Sequence, residues 1–436
     1  MQIFLPSTRF RYPTMTDESQ AGRQDDPEDG AVGARFAAFS HGAFVRYWLA
    51  RFSTTFAVQI IAVAVGWQIY ALTRDPLDLG LIGLVQFLPL LLLVLVTGAV
   101  ADRFGRRLVM GSAIALECAC AGAILFFSWR GLTTPLPVFV ALAGMGIARA
   151  FFGPASQSLV VNLVPRRDFA NAVAWNSSAW QVASIGGPVA GGLLYGISAN
   201  VAYTTALAML LTALFLVSRI PKPPVRGEVK KVTFSSLFDG LRFIRREKVV
   251  LGAISLDLFA VLLGGAVALL PVYAHDILDL GPWGLGLLRA APGIGAVSMA
   301  AFLAASPIRD HAGRVLLFFV ALFGIFTVIF GISTLTWLSI AALTLVGAAD
   351  MVSVYIRETL LQLWTPDEVR GRVNAVNMVF LGASNELGEF RAGFMAAWIG
   401  VVPAVVFGGV GAVAVATGWA LLFPQLRDAR YLHRAG

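Results

Sequence analysis

Long apolar runs in this chain of 436 residues are interrupted by a small set of ionisable side chains. Glu117, Arg149, Asp257, Asp350 and Glu386 stand near the middles of the runs, and Arg289, Arg357, Glu358, Glu389 and Arg391 nearer their ends. A charge in hydrocarbon costs from about 2.5 to above 10 kcal/mol, so each needs a partner or a wet cavity. Two chemistries are open to them. One is structural, an acid and a base locking two helices together; the other is ion relay, a carboxyl group taking up and releasing a proton. Glu386 and Glu389 are three apart and share a helix face. Two carboxylates that close in a poorly hydrated space cannot both ionise cheaply, which suits the pair to carry a proton. Glu386 is favoured because it lies deeper; Arg391 is a nearby positive charge that could favour the ionised form, although its spacing does not aim it at Glu389. Asp350 and Arg357 are two turns apart and share a face, about 10 Å from each other. Glu117 and Arg149 occupy similar depths, which predicts either a pair or an Arg149 that responds to Glu117 or another nearby carboxylate as protons move.

Helices must hold these residues. Apolar residues make up 58% of the chain and charged ones 13%, with a mean hydropathy of +0.77. Soluble domains run at about 45–50% and about 25%, so a soluble enzyme is excluded. Lipid is the remaining solvent, and there a helix satisfies its own backbone. At roughly 20 residues per span, the apolar pattern predicts helices over 44–72, 79–101, 107–128, 136–160, 170–196 and 201–218. A second set is predicted over 249–272, 283–304, 315–333, 337–363, 373–399 and 401–423. The expected fold is an all-α membrane protein with twelve transmembrane helices in two pseudo-symmetric six-helix bundles. A disordered tail is expected over 1–43, bundles over 44–218 and 249–423, a central loop over 219–248 and a second tail over 424–436. Within the loop, the stretch from Phe234 to Arg246 reads as an amphipathic helix at the lipid surface.

The net charge of +8 is distributed unevenly. Arg103, Arg106, Arg107, Arg166, Arg167, Arg309, Arg314, Arg370 and Arg372 fall on one side of the expected spans. The central loop adds Lys222, Arg226, Lys230, Lys231, Arg242, Arg245, Arg246 and Lys248 to that side, while the other offers Arg74 and Arg130. Basic loops face the cytoplasm, so both termini are expected there, in a multi-pass protein of the bacterial inner membrane. That bias accounts for the basic balance without nucleic acid.

The halves echo each other. Asp102-Arg103-Phe104-Gly105-Arg106 follows the second helix of the first, and Asp310-His311-Ala312-Gly313-Arg314 the second helix of the second. Pro165 with Asn171-Ala172-Val173 is matched by Pro366 with Asn374-Ala375-Val376, each after a fourth helix. Parallel six-span halves with a site between them are the geometry of alternating access. On this reading Asp102, Arg103, Gly105 and Arg106, with Asp310, Gly313 and Arg314, form a cytoplasmic gate.

Three motifs carry a family resemblance. The run from Gly98 through Asp102-Arg103 to Arg106-Arg107 resembles the signature loop of the major facilitator superfamily. Arg149-Ala-Phe-Phe-Gly153 resembles the R-x-x-q-G element of its proton-coupled drug antiporters, with Phe152 where Gln is usual. Gly187-Pro188-Val-Ala-Gly191-Gly192 resembles its export-associated helix-packing element. The segments Thr365–Arg372 and Gly382–Phe390, with Arg289-Ala-Ala-Pro292, are similar to the bacterial branch that includes the enterobactin exporter and related efflux proteins. The resemblance runs from Phe44 onward; Arg391 departs from it, standing where that branch tends to be acidic.

The resemblance implies a proton-coupled exporter of small, partly apolar molecules, siderophore-like or drug-like. An importer on the same fold is the nearest alternative, and a non-transporting membrane sensor or assembly protein a more distant one. The expected partners are a small-molecule substrate, protons and the lipid bilayer, with no nucleic acid and a monomeric chain. No cofactor or metal is expected. His41, His275, His311 and His433 are scattered, Cys118 and Cys120 point to different helix faces, and no phosphate-binding G-x-x-x-x-G-K-[ST] loop occurs. Gln59, Gln68, Gln86, Trp175, Asn176 and Trp180 are candidates to line the cavity.

Overall fold

The computed structural model describes residues 35–221, 234–308 and 310–429. The tail before residue 35, Lys222, Arg226, Lys230, Lys231, Arg309, His433 and the side chain of Asp102 lie outside the described residues. The first bundle comprises α1 (Gly42–Thr73), α2 (Pro76–Phe104), α3 (Arg106–Arg130), α4 (Leu136–Val160), α5 (Phe169–Ile197) and α6 (Ala199–Ser218). A surface helix, α7 (Phe234–Arg246), leads to the second: α8 (Lys248–Gly264), α9 (Gly281–Ala305), α10 (Ala312–Ile332), α11 (Thr336–Trp364), α12 (Asp367–Ile399) and α13 (Val401–Leu422). The protein is all-α, with twelve long helices in two six-helix bundles. Ten spans among the described residues are long and apolar enough to cross a membrane. The two other long helices are α5, with several Asn, Gln and Ser residues, and α12, which carries the densest charge.

Local chemistry sets the helix ends. Asp75 caps α2 by accepting from the Leu77 amide at 2.8 Å, and Pro76 supplies the first turn. Gly105, Gly131 and Gly400 take positive φ between consecutive helices, where a side chain would strain the backbone.

Several expectations are corrected. The helix expected over 249–272 ends at Gly264, and the chain continues through short turns into a π turn at Tyr273–Ile277. Adjacent glycines at 264–265 and Pro271 weaken regular helix there. The break frees carbonyls inside the apolar layer, and Arg391 fills the vacancy: its Nε donates to Leu262 O at 2.9 Å and its Nη2 to Leu263 O at 2.5 Å. Arg391 is therefore engaged in capping α8 rather than in opposing Glu389. Residues 35–43, expected within a disordered tail, pack on the start of α5. Asn171 and Trp175 donate to Arg35 O at 2.8 and 3.0 Å, and Asn171 accepts from the Ala38 amide at 3.1 Å. Beyond α13 the chain forms a short helix, Pro424–Arg427, with Leu426 buried. Helix α7 forms as expected, but its Ile244 is buried in a cluster with Val250, Ile254, Leu361, Val373 and Val376. Leu241 and Phe243 pack against the same cluster, so the described C-terminal part of the helix rests on protein.

The bundles meet in a crossed arrangement, α2 on α12 and α5 on α9. In each contact the second helix of one half packs on the fifth helix of the other, as a pseudo-two-fold axis requires. Glycines permit the approach: a Cβ on Gly80 would lie 2.9 Å from Phe390 O, and one on Gly286 2.6 Å from Pro188 O. Without a hydrophobic drive between helices in lipid, such close backbone packing carries the association. We call the end bearing Arg103, Arg106, Arg166 and Arg314 the basic face and its opposite the far face.

Candidate functional site

At mid-depth the two halves are joined by charge. Arg149 of α4 donates through Nη1 to Oε1 of Glu386 on α12 at 3.0 Å. Glu389, one turn further along α12, stands beside it. A Cβ placed on Gly83 of α2 would meet Oε2 of both glutamates, at 3.2 and 3.3 Å, so the bare backbone of Gly83 makes the floor on which both carboxylates rest. Arg289 of α9 interacts electrostatically with Glu389, and its own Nε is buried without a hydrogen-bond partner. Four helices from both halves thus bring two cations and two carboxylates together.

Glu117 of α3 is buried, and its Oε2 has no hydrogen-bond partner. It feels the charge of Arg149, but the guanidinium bonds Glu386 instead. Of the two pairings open to Arg149 in the sequence, the structure contains the one across the halves.

A second cluster lies within the C-terminal bundle. Asp257 of α8 forms a fully buried ion pair with Arg357 of α11. Arg357 Nη2 also lies 3.7 Å from Oε1 of Glu358, which accepts from Asn377 Nδ2 at 3.1 Å. Asp257, Asp350 and Ser353 border a cavity of about 10 Å³, about the room a single water needs. This pair joins two helices of one bundle, so its geometry is that of a lock.

The gate residues are spread along the basic face. Gly105 turns the chain at φ +85°; Arg106 donates to Ser158 O at 3.1 Å, tying α3 to α4, and the Arg103 guanidinium lies over the Phe104 ring. In the second half, Asp310 accepts from the His311 amide at 3.0 Å. Arg314 lies 3.8 Å from Asp428, and Gly313 packs against the carbonyl of Leu426. Hydrogen bonding from Arg427 holds the exposed Asp428 carboxyl below its ordinary range. The packing residues divide by face: Gly187 and Gly191 of α5 lie against α1, Pro188 and Gly192 against α9 across the halves.

Two features escaped the sequence reading. At the far face, Tyr70 donates to Asp276, Arg74 Nη1 lies 3.0 Å from both Asp276 Oδ1 and His275 Nδ1, and the Trp67 ring sits 5.1 Å from the His275 ring. This links the end of α1 in one half to the π turn of the other at the far face. The apposition of an aromatic-rich helix end with an unused His-Asp pair was the only sequence sign of it. The other is a cavity of about 600 Å³ on the basic-face side of the first half, bordered by Arg51, Asn176 and Trp180 among others. Asn176 and Trp180 are among the lining candidates the sequence offers; Arg51 is not. The described bridges and close backbone contacts between the two halves thus lie at mid-depth and toward the far face, with the larger cavity toward the basic face.

Comparison with known proteins places this geometry. Residues 33–431 match the family described as transmembrane secretion effector. The chain is 26% identical over 402 residues to the enterobactin exporter of Shigella dysenteriae serotype 1, covering 90% of this chain and 94% of that one. It is 25% identical over 406 residues to the enterobactin exporter of Escherichia coli K12, with the same coverage. Among solved structures, a bacterial homolog of the human lysosomal transporter Spinster, inward-facing and occupied, superposes with a TM-score of 0.67 at 14% identity, over 90% of this chain and 95% of that one.

Proposed function

The chain belongs to the transmembrane secretion effector family of the major facilitator superfamily, and on that premise we propose that it exports small, partly apolar molecules in exchange for protons. It is an integral membrane protein and a secondary transporter rather than an enzyme. Its cargo on this proposal is siderophore-like or drug-like, in keeping with relatives named for enterobactin export.

The observation that carries the coupling is the Arg149–Glu386 bridge with Glu389 beside it. The bridge spans the two halves, so it holds only while Glu386 is ionised and the halves stand as they do. A proton taken up from the far face relieves repulsion between the neighbouring carboxylates and keeps Arg149 free; its release to the basic face lets the bridge re-form and holds the halves as they stand, so protons enter as cargo leaves. One charge crossing 100 mV corresponds to about 2.3 kcal/mol, enough to drive modest accumulation. The basic face is cytoplasmic on this proposal, by the bias of its loops. The protein acts as a monomer in the bacterial inner membrane, loading cargo from the basic face while the far-face latch is shut. Asp102, Arg103, Gly105 and Arg106, with Asp310, Gly313 and Arg314, would close that face in the other half of the cycle.

The test is flux from proteoliposomes under an imposed pH jump, with a panel of amphipathic compounds and both orientations resolved. Efflux that follows the proton gradient and collapses with a protonophore supports the proposal. Efflux indifferent to the gradient removes it.

A further inference from the structure

The open cavity on the basic-face side is bordered by residues of α1, α4 and α5 of the first half, and its volume of about 600 Å³ suits a drug-sized molecule. Its lining has an unusual charge balance. Arg51 is the one ionic side chain among the described lining residues, which include no carboxylate. Arg51 donates to the neutral Tyr47 hydroxyl at 3.2 Å, and that hydroxyl is itself committed to Ser156 O at 2.9 Å. Tyr47 therefore positions the guanidinium without neutralising it. Such a charge in a membrane-embedded helix attracts an anion more strongly than it would in water.

Two further observations define the rest of a ligand. Asn176 is 6% exposed, lines the cavity, and its Oδ1 has no hydrogen-bond partner. A buried acceptor left in that condition awaits a donor. Trp180 exposes 52% of its surface and lines the same cavity, offering an aromatic face. The amides of Gln157 and Gln181 complete a polar rim.

We propose that this pocket is the loading site for cargo and that it selects an amphipathic aromatic anion: an acidic group against Arg51, a hydroxyl or amide donor against Asn176, and a ring against Trp180. The assignment rests on the export reading and narrows it, from partly apolar molecules in general to those bearing a negative charge. An amphipathic anion can reach the pocket as a dissolved solute or as a phospholipid with an acidic headgroup. The proposal commits to the solute.

Three isosteric probes test the charge: naphthoate, neutral naphthalene methanol and protonated naphthylmethylamine, titrated against the full chain in phosphatidylcholine nanodiscs. Naphthoate should bind at least about tenfold tighter than the amine, a difference of about 1.4 kcal/mol. Arg51→Gln should bring naphthoate down to the affinity of the alcohol, whereas Arg51→Lys, which keeps the charge and reports on folding, should retain the preference. Trp180→Ala should weaken all three probes. Equal binding of anion and amine by the wild type, or an anion preference that survives Arg51→Gln, overturns the proposal. Displacement of naphthoate by added phosphatidylglycerol, seen only when Arg51 is present, overturns the solute assignment in favour of a lipid headgroup. Arg51-dependent anion binding without gradient-driven flux supports the pocket and removes the export reading. Gradient-driven flux of the amine, indifferent to Arg51, does the reverse.

Discussion

Arg149 and Glu386 stand 237 positions apart in the chain, on helices of different halves, and their side chains meet at 3.0 Å. Glu386 has Glu389 for a neighbour over Gly83, while Arg149 has the unpartnered Glu117 within electrostatic reach. The bridge therefore sits between two further acids. A guanidinium that exchanges one carboxylate for another as protons arrive would convert protonation into relative motion of the halves.

Substituting Glu386→Gln mimics the protonated acid permanently. Efflux driven by a pH gradient should fall to the level of empty liposomes, while exchange of labelled for unlabelled cargo without a gradient should persist. Loss of both activities together would mean that Glu386 serves binding or folding instead.

The far-face latch should be tunable. Asp276 accepts from both Tyr70 and Arg74, and the pair with Arg74 is half-exposed, a setting worth about 0.2–1 kcal/mol. Asp276→Asn should shift the far face by about 1.4-fold to fivefold toward opening. Spin labels at Leu136 and Trp337, exposed residues at the far ends of α4 and α11, would report it as a longer distance distribution.

The buried pair Asp257–Arg357 is expected to be structural. Asp257→Asn strands a buried cation and should cost about 3–5 kcal/mol, seen as a fall in Tm, and Asp257→Asn with Arg357→Met should recover most of it. A single variant with unchanged Tm and lost flux would instead assign this pair to coupling.

Arg391 should matter for stability alone. Arg391→Leu leaves the carbonyls of Leu262 and Leu263 unmet, at a cost of about 1–3 kcal/mol, and Arg391→Lys should restore part of the loss. Thermal unfolding of both variants in detergent measures this; an unshifted Tm for Arg391→Leu contradicts the capping role.

These contrasts show what local sequence encodes. The twelve helices were legible because apolar runs and Gly or Pro breaks are local, and the depth of Arg149 and Glu386 followed from counting along each run. Spacing on one helix also placed Glu386 beside Glu389. It could not say which carboxylate Arg149 would meet, because partners on different helices depend on how the bundles dock. For the same reason Tyr70 and Asp276, each unremarkable in its own segment, became a latch only in three dimensions. The capping role of Arg391 was not legible because it depends on the break at Gly264 turning carbonyls toward it; the glycine pair is visible in the sequence, but its consequence for a residue on α12 is not.

The central claim is that the two halves rock about the mid-depth bridge so that the faces open by turns. Pulsed dipolar spectroscopy between labels at Leu108 and Phe302 on the basic face, run beside the Leu136–Trp337 pair in nanodiscs, measures it most directly. The account predicts that lowering the pH, or introducing Glu386→Gln, shortens the basic-face distance while lengthening the far-face one. Distances that stay fixed at both faces, or that change there in the same sense, would contradict it.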